Sequence, residues 1–203
     1  LVGSEMCIRD RSSVAAGDSA VATGYLANAG AANTVATGKS ATASVDNAVA
    51  VGVQTNASAR NAMALGGYSS ASGERATAVG AVSKASGTAS FAGGTSANAS
   101  GTNSVAIGGS MTPADAAQAT GANTTAIGTG AKAEKDNAVA LGSGSTTSDF
   151  VPTSSATVGT LTYSGFAGSN SSLGNGAVVS VGGPVTPTNQ LGSARQIQNV
   201  AAC

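Results

Sequence analysis

The sequence has no histidine and no tryptophan, only 3% aromatic residues and only 9% charged ones. Each shortage closes off a class of function. Without histidine there is no Ser-His-Asp triad and no imidazole metal site. The nine cations and nine anions are scattered singly and sum to zero. They build no basic groove, so nucleic-acid binding is not expected. No apolar run approaches membrane-spanning length. The two cysteines, Cys7 and Cys203, lie near the ends of the chain, and a disulfide between them is not expected. Gly, Ala, Ser and Thr dominate, a composition that by itself would read as disorder.

A fixed period overrides that reading. A beat of small–Val–Ala–(Val/Ile/Leu/Thr)–Gly ends at Gly24, Gly38, Gly52, Gly66, Gly80, Gly94, Gly108, Gly128 and Gly142. The spacing is 14 residues six times over, then 20, then 14. Alanine stands two before every one of these glycines, from Ala22 to Ala140. A disordered chain has no reason to keep such register, and a fixed period marks a stacked repeat protein. A second set, Gly17, Gly73, Gly87, Gly101 and Gly121, sits seven before its repeat glycine. The unit therefore has two halves, and two strands of four to five residues joined by glycine corners would fill it, with glycine serving positive φ. A helix fails, because two glycines per unit would cost about 1 kcal/mol each relative to alanine.

Alternation supports strands. The positions three and one before each glycine carry nearly all the larger apolar groups, as in Val49 and Val51, Met63 and Leu65, Val105 and Ile107. The other strand face holds the alanine column and small neighbours such as Thr34 and Ser104. In the second half-unit Ala29, Ala43, Ala57, Ala71, Ala85, Ala99 and Ala133 recur five after the glycine. Strands stacked about 4.8 Å apart would make a rod roughly 40 Å long. A coil of two strands has one narrow interior and cannot bury both faces. The missing cover is most simply another copy of the chain, so a homo-oligomer packed along its length is expected, with marginal monomers.

Three stretches depart from the beat. Residues 1–11 fit no repeat position, and Leu1–Asp10 read as the translation of a sequencing-library adaptor, so they are set aside as foreign. The chain is accordingly expected to be a fragment. An insertion of six residues falls within 109–118, where Pro113 argues for a loop leaving one corner. It reads either as a tolerated insertion or as a functional loop. From Thr146 the period stops. Thr157–Tyr163 and Val178–Val181 read as strands of a small β-rich insert over 146–194, with Pro184, Pro187 and Gly192 in a loop. Ala194–Ala202, free of glycine and proline, could begin a helix.

The unit, cleanest at Ser104-Val105-Ala106-Ile107-Gly108, resembles the head repeat of YadA-like trimeric autotransporter adhesins. Residues 12–145 correspond to such a head, and Asp136–Ser145 is similar to the start of the neck. Leu161–Gly168 followed by Val179-Ser180-Val181-Gly182 resembles the insert that interrupts that neck. Arg195–Ala202 is similar to the segment leading to the coiled-coil stalk, so 195–203 is read as a truncated approach to it. Gly183–Ser193 is longer and richer in proline than the usual link, and Cys203 stands where the family would usually have glycine. The resemblance implies an all-β fold, a left-handed parallel β-roll of 14-residue coils. It implies a homotrimer, two further copies being the first partners, exposed on the bacterial outer membrane. It implies a non-enzymatic head that attaches to host matrix, host cells or its own kind through many weak contacts. The stalk and membrane anchor would lie beyond this sequence.

No residue is singled out as catalytic, cofactor-binding or metal-binding, and no ligand-binding residue is named. Thr37-Gly38-Lys39-Ser40 has the end of a phosphate-binding loop, but Asn33 stands where its first glycine is required. Glu134-Lys135-Asp136 reads as solvated corner charges. The acids do not recur with the period as in calcium-binding nonapeptides. Asn56-Ala57-Ser58 and Asn98-Ala99-Ser100 match a glycosylation sequon by chance in an Ala- and Ser-rich repeat. Phe91 in place of valine is a local core filler or a bulge, and the core filler is preferred. Other readings remain: a structural spacer or biofilm element, and an ice-binding solenoid. The second needs a flat rank of threonines, which Thr23 and Thr37 begin but Val51, Leu65 and Val79 break off. A carbohydrate-cleaving β-helix is disfavoured by coils too short to form a cleft.

Overall fold

A computed structural model describes residues 7–9, 12–150, 155–164 and 178–183. The repeats form a β-solenoid of two parallel sheets. Each coil gives a three-residue strand, such as Val21–Thr23 or Val105–Ile107, to the first sheet. It then gives a two-residue strand, such as Asn28–Ala29 or Asn98–Ala99, to the second. Both are shorter than the expected four to five residues, because two corners of several residues each must fit into 14. Neighbouring coils pair one period apart, Ala78 opposite both Ala64 and Ala92.

The interior is almost free of large side chains. Four ranks face inward, at −4, −2, +3 and +5 from the repeat glycine, except after Gly108, where the insertion puts Ala117 and Ala119 in the last two places. Every buried apolar residue among those described is alanine. A strand pair this close admits a methyl group and little more. The same ranks accept hydroxyls that close their own bonds: Ser104 Oγ donates to Gly101 O at 2.6 Å, and Thr124 Oγ1 to Gly121 O at 2.7 Å. Methyl burial of about 0.8 kcal/mol per carbon is modest, so the stacked backbone ladder carries much of the cohesion.

The corners differ from expectation in two ways. Among the described residues sixteen that are not glycine, one every seven positions through most of the roll, have φ between 53 and 61°. Asparagine suits that conformation at Asn33, Asn47 and Asn103, but Tyr68 and Val82 adopt it too. The stacking compensates them: Val82 N donates to Gly67 O at 2.9 Å and Tyr68 N to Val53 O at 2.8 Å. At Gly101 the need is proximity rather than positive φ, since an added Cβ would fall 1.8 Å from Gly121 O.

The 109–118 insertion leaves one corner and returns without disturbing the stack. It carries a 3-10 turn at Pro113–Asp115, and Ala117 N closes the excursion on Gly108 O at 2.9 Å. The opposite corner stays continuous, with Asn103 Nδ2 donating to Asn123 Oδ1 and Asn123 Nδ2 to Asn137 Oδ1, each at 3.1 Å.

The ends bring three findings. Cys7–Arg9 pairs in parallel with Val21–Thr23, one coil earlier, although the sequence pattern gives it no repeat position. An open strand edge accepts backbone of any sequence. Beyond the last beat Thr146 bridges to Lys132, and Val179–Ser180 pairs with Val139–Ala140, so parallel pairing resumes after the intervening segment. The stretch expected as one strand over Thr157–Tyr163 is instead an antiparallel hairpin, Ser155–Val158 against Leu161–Ser164, turning at Gly159 with φ 63°. Glycine there fits a two-residue hairpin turn. The expected loop at Pro184, Pro187 and Gly192, the helix at 194–202 and both chain ends lie outside the described residues.

Candidate interaction surfaces

The two outward faces of the roll have opposite characters. On the first sheet the outward ranks are the large apolar groups, and none of them is buried. Val51, Met63, Val79, Ile107, Ile127 and Leu141 are exposed, and Val35, Val49, Leu65 and Val105 are half-buried. Over the first five coils this face is continued round a corner by exposed Tyr25, Leu26, Val53, Tyr68 and Val82. The second sheet turns outward a polar rank, from Asn28 and Thr42 through Lys84, Asn98 and Gln118 to Lys132.

Phe91 is neither a bulge nor part of the interior. Its strand pairs in step with both neighbours, and the half-buried ring stands on the outward face against Gly93. It fills the place left where other coils carry Val, Leu or Ile.

The motifs set aside in the sequence find structural employment. Gly38 and Ser40, at φ 126° and 57°, are a stacked corner like their neighbours. Asp136 Oδ1 accepts Ala122 N at 2.8 Å, and Asp46 Oδ1 accepts Ala32 N at 3.3 Å. Lys135 Nζ lies 2.6 Å from Asp149 Oδ1. Its hydrogen bond to that carboxylate, with their Coulomb attraction, raises its pKa above the ordinary 10.5. Asn56 and Asn98 both point outward from the second sheet. Among the described residues no three Cys, Asp or Glu side chains converge as a metal site. No described helix is long and apolar enough to cross a membrane.

The family described as YadA head domain repeat (2 copies) matches residues 29–55, 43–69, 57–83, 71–97, 85–110 and 119–145. The chain belongs to the YadA head family. Each matched window spans about two coils, and the gap between the last two falls on the insertion. No curated protein matches the chain. The YadA head family is one of trimeric, surface-exposed autotransporter passengers, and its heads are structural rather than enzymatic in type. Within this YadA-like head the sequence pattern had separated the alanine face from the apolar face, and the structure turns the alanines inward and the apolar ranks outward. The pattern did not mark the apolar corner, because Tyr25, Leu26 and Val82 follow no residue type that recurs with the period.

Proposed function

We propose that this chain is the adhesive head of a bacterial surface fibre, a homotrimer that attaches to host matrix, host cells or other copies of itself without catalysis. One observation carries the proposal: the apolar ranks of the first sheet are left uncovered by their own chain. A Val or Ile side chain gains about 1.5–3 kcal/mol on full burial. Two further copies packed along the roll would supply that cover and set three identical ligand-facing surfaces side by side. Residues 146–194 then serve as an insert at the junction with the neck and 195–203 as the approach to the stalk. The head stands outside the cell, on the outer membrane but not in it.

Two measurements test the reading. Sedimentation of the chain fused at its C-terminus to a trimeric coiled coil should give a compact trimer with low protease sensitivity along the roll. Ile107→Lys with Val79→Lys should loosen it while leaving the β spectrum intact. Solid-phase binding of the trimer to matrix proteins, host cells and itself should then show at least one interaction. A trimer that binds none of them is a spacer, and adhesion would be abandoned.

A further inference from the structure

The 109–118 insertion does more than leave the roll: it overhangs the polar face and makes a cleft of about 420 Å³ there. That lies within the range of small-ligand sites, about 300–1,000 Å³. Its floor is the second-sheet rank Lys84, Asn98 and Gln118, neighbours in successive coils. Its walls are Val82 and Ser96 from the corner and Pro113 with Ala114 from the insertion. Gln118 Nε2 holds the overhang by donating to Pro113 O and Ala114 O, each at 3.4 Å.

The lining has unspent bonding capacity. Ser96 is 8% exposed as a residue, and its hydroxyl makes no side-chain hydrogen bond among the described residues, so it is open to a ligand. Lys84 is exposed and makes no ion pair among the described residues. Gln118, its nitrogen engaged by the loop, offers its Oε1 as an acceptor, and Asn98 adds an amide. Val82 and Pro113 supply the apolar surface. The set is thus one cation, several neutral hydrogen-bonding groups and a small aliphatic wall. The complementary ligand carries one negative charge, several hydroxyl or amide groups and an aliphatic ring face.

We propose that this cleft binds an acidic sugar residue of a glycan, with Lys84 on its carboxylate, Ser96, Asn98 and Gln118 on its hydroxyl or amide groups, and Val82 and Pro113 against its ring. The site lies on the polar sheet, so packing of copies through the apolar sheet leaves its floor uncovered. It names a ligand class for the adhesive head, and its biological sense rests on that reading. A single shallow site of this kind binds weakly, and three copies on one head raise the apparent affinity through avidity.

The full chain, labelled for NMR, is titrated with 3′-sialyllactose, a hyaluronan tetrasaccharide, neutral lactose and a glutamate-containing peptide. At least one acidic saccharide should shift the resonances of Ser96, Asn98 and Gln118, with lactose and the peptide binding far more weakly. Lys84→Gln should lower the affinity about tenfold or more, as loss of a charge-assisted bond implies. Lys39→Gln, a corner lysine away from the cleft, should leave it unchanged. Deleting 110–115 brings Gly108 and Gly128 back to the 14-residue spacing and should abolish binding with the β spectrum retained. The proposal is overturned if neither acidic saccharide binds at these residues, if lactose or the peptide binds as well, or if Lys84→Gln or the deletion changes nothing. The titration needs no cells or matrix. Saccharide binding by a chain that adheres to nothing would therefore sink only the adhesin reading, and adhesion that survives Lys84→Gln without saccharide binding would sink only this one.

Discussion

The ring of Phe91 lies over Gly93, so near that a Cβ built on the glycine would stand 2.8 Å from Phe91 Cε1. The two residues are two apart in sequence and so adjacent on the same strand face, where other coils carry a pair of medium-sized groups. A large side chain and an absent one together occupy the space of two ordinary ones, as when an aromatic ring covers a strand glycine.

This pairing predicts coupling. Phe91→Val alone should destabilise by uncovering the glycine, whereas in a Gly93→Ile background the same change should stabilise by relieving a clash. A double-mutant cycle in thermal or denaturant unfolding should return a coupling energy of about 1 kcal/mol. Additive effects would mean that ring and glycine are independent.

Substitutions on the two strand faces should behave oppositely. Ala64 and Ala78 are fully buried among other alanines, so Ala78→Leu should cost at least about 1–3 kcal/mol by overpacking. Met63→Val, on the outward face of the same sheet, should stay within about 1 kcal/mol. Equal tolerance at Ala78 in thermal unfolding would show that the interior can widen.

Two kinds of glycine should separate. Gly66 has φ 121° and a Cβ there would also meet Gly80 C and O at 2.7 Å. Gly73 lacks positive φ, although its Cβ would stand 2.1 Å from Gly87 O. Other coils place Ala31, Val45 and Ala59 at the Gly73 position, whereas the Gly66 position is glycine throughout. Gly66→Ala should therefore lose about 1–3 kcal/mol from the backbone alone, and Gly73→Ala less, as its corner takes the wider form. The reverse order in melting temperature would make close approach the stronger constraint.

Ser90 and Ser104 occupy the same inward rank one coil apart. Ser90 Oγ is buried without a partner, while Ser104 Oγ donates to Gly101 O. Ser90→Ala should be neutral or stabilising by up to about 1 kcal/mol, and Ser104→Ala should cost about 1 kcal/mol. Matching losses on unfolding would show that Ser90 has a partner in solution.

Period and residue size were enough for the solenoid, its 14-residue coil and the division of each strand into an alanine face and an apolar face; which of the two faces inward came from the structure. The glycine every 14 residues fixes the coil, and alternation on short strands separates the faces. The sequence also located the insertion, because a 20-residue gap can be read by counting. How the corners work follows instead from contacts between neighbouring coils. Left-handed backbone at Tyr68 and Val82 is invisible to residue preference, since hydrogen bonds from the neighbouring coil hold it. Proximity at Gly101 depends equally on where the next coil's carbonyl stands. The cleft was illegible for the same reason: Lys84, Ser96, Asn98, Pro113 and Gln118 share no motif, and stacking alone brings three coils and one loop together around a single space.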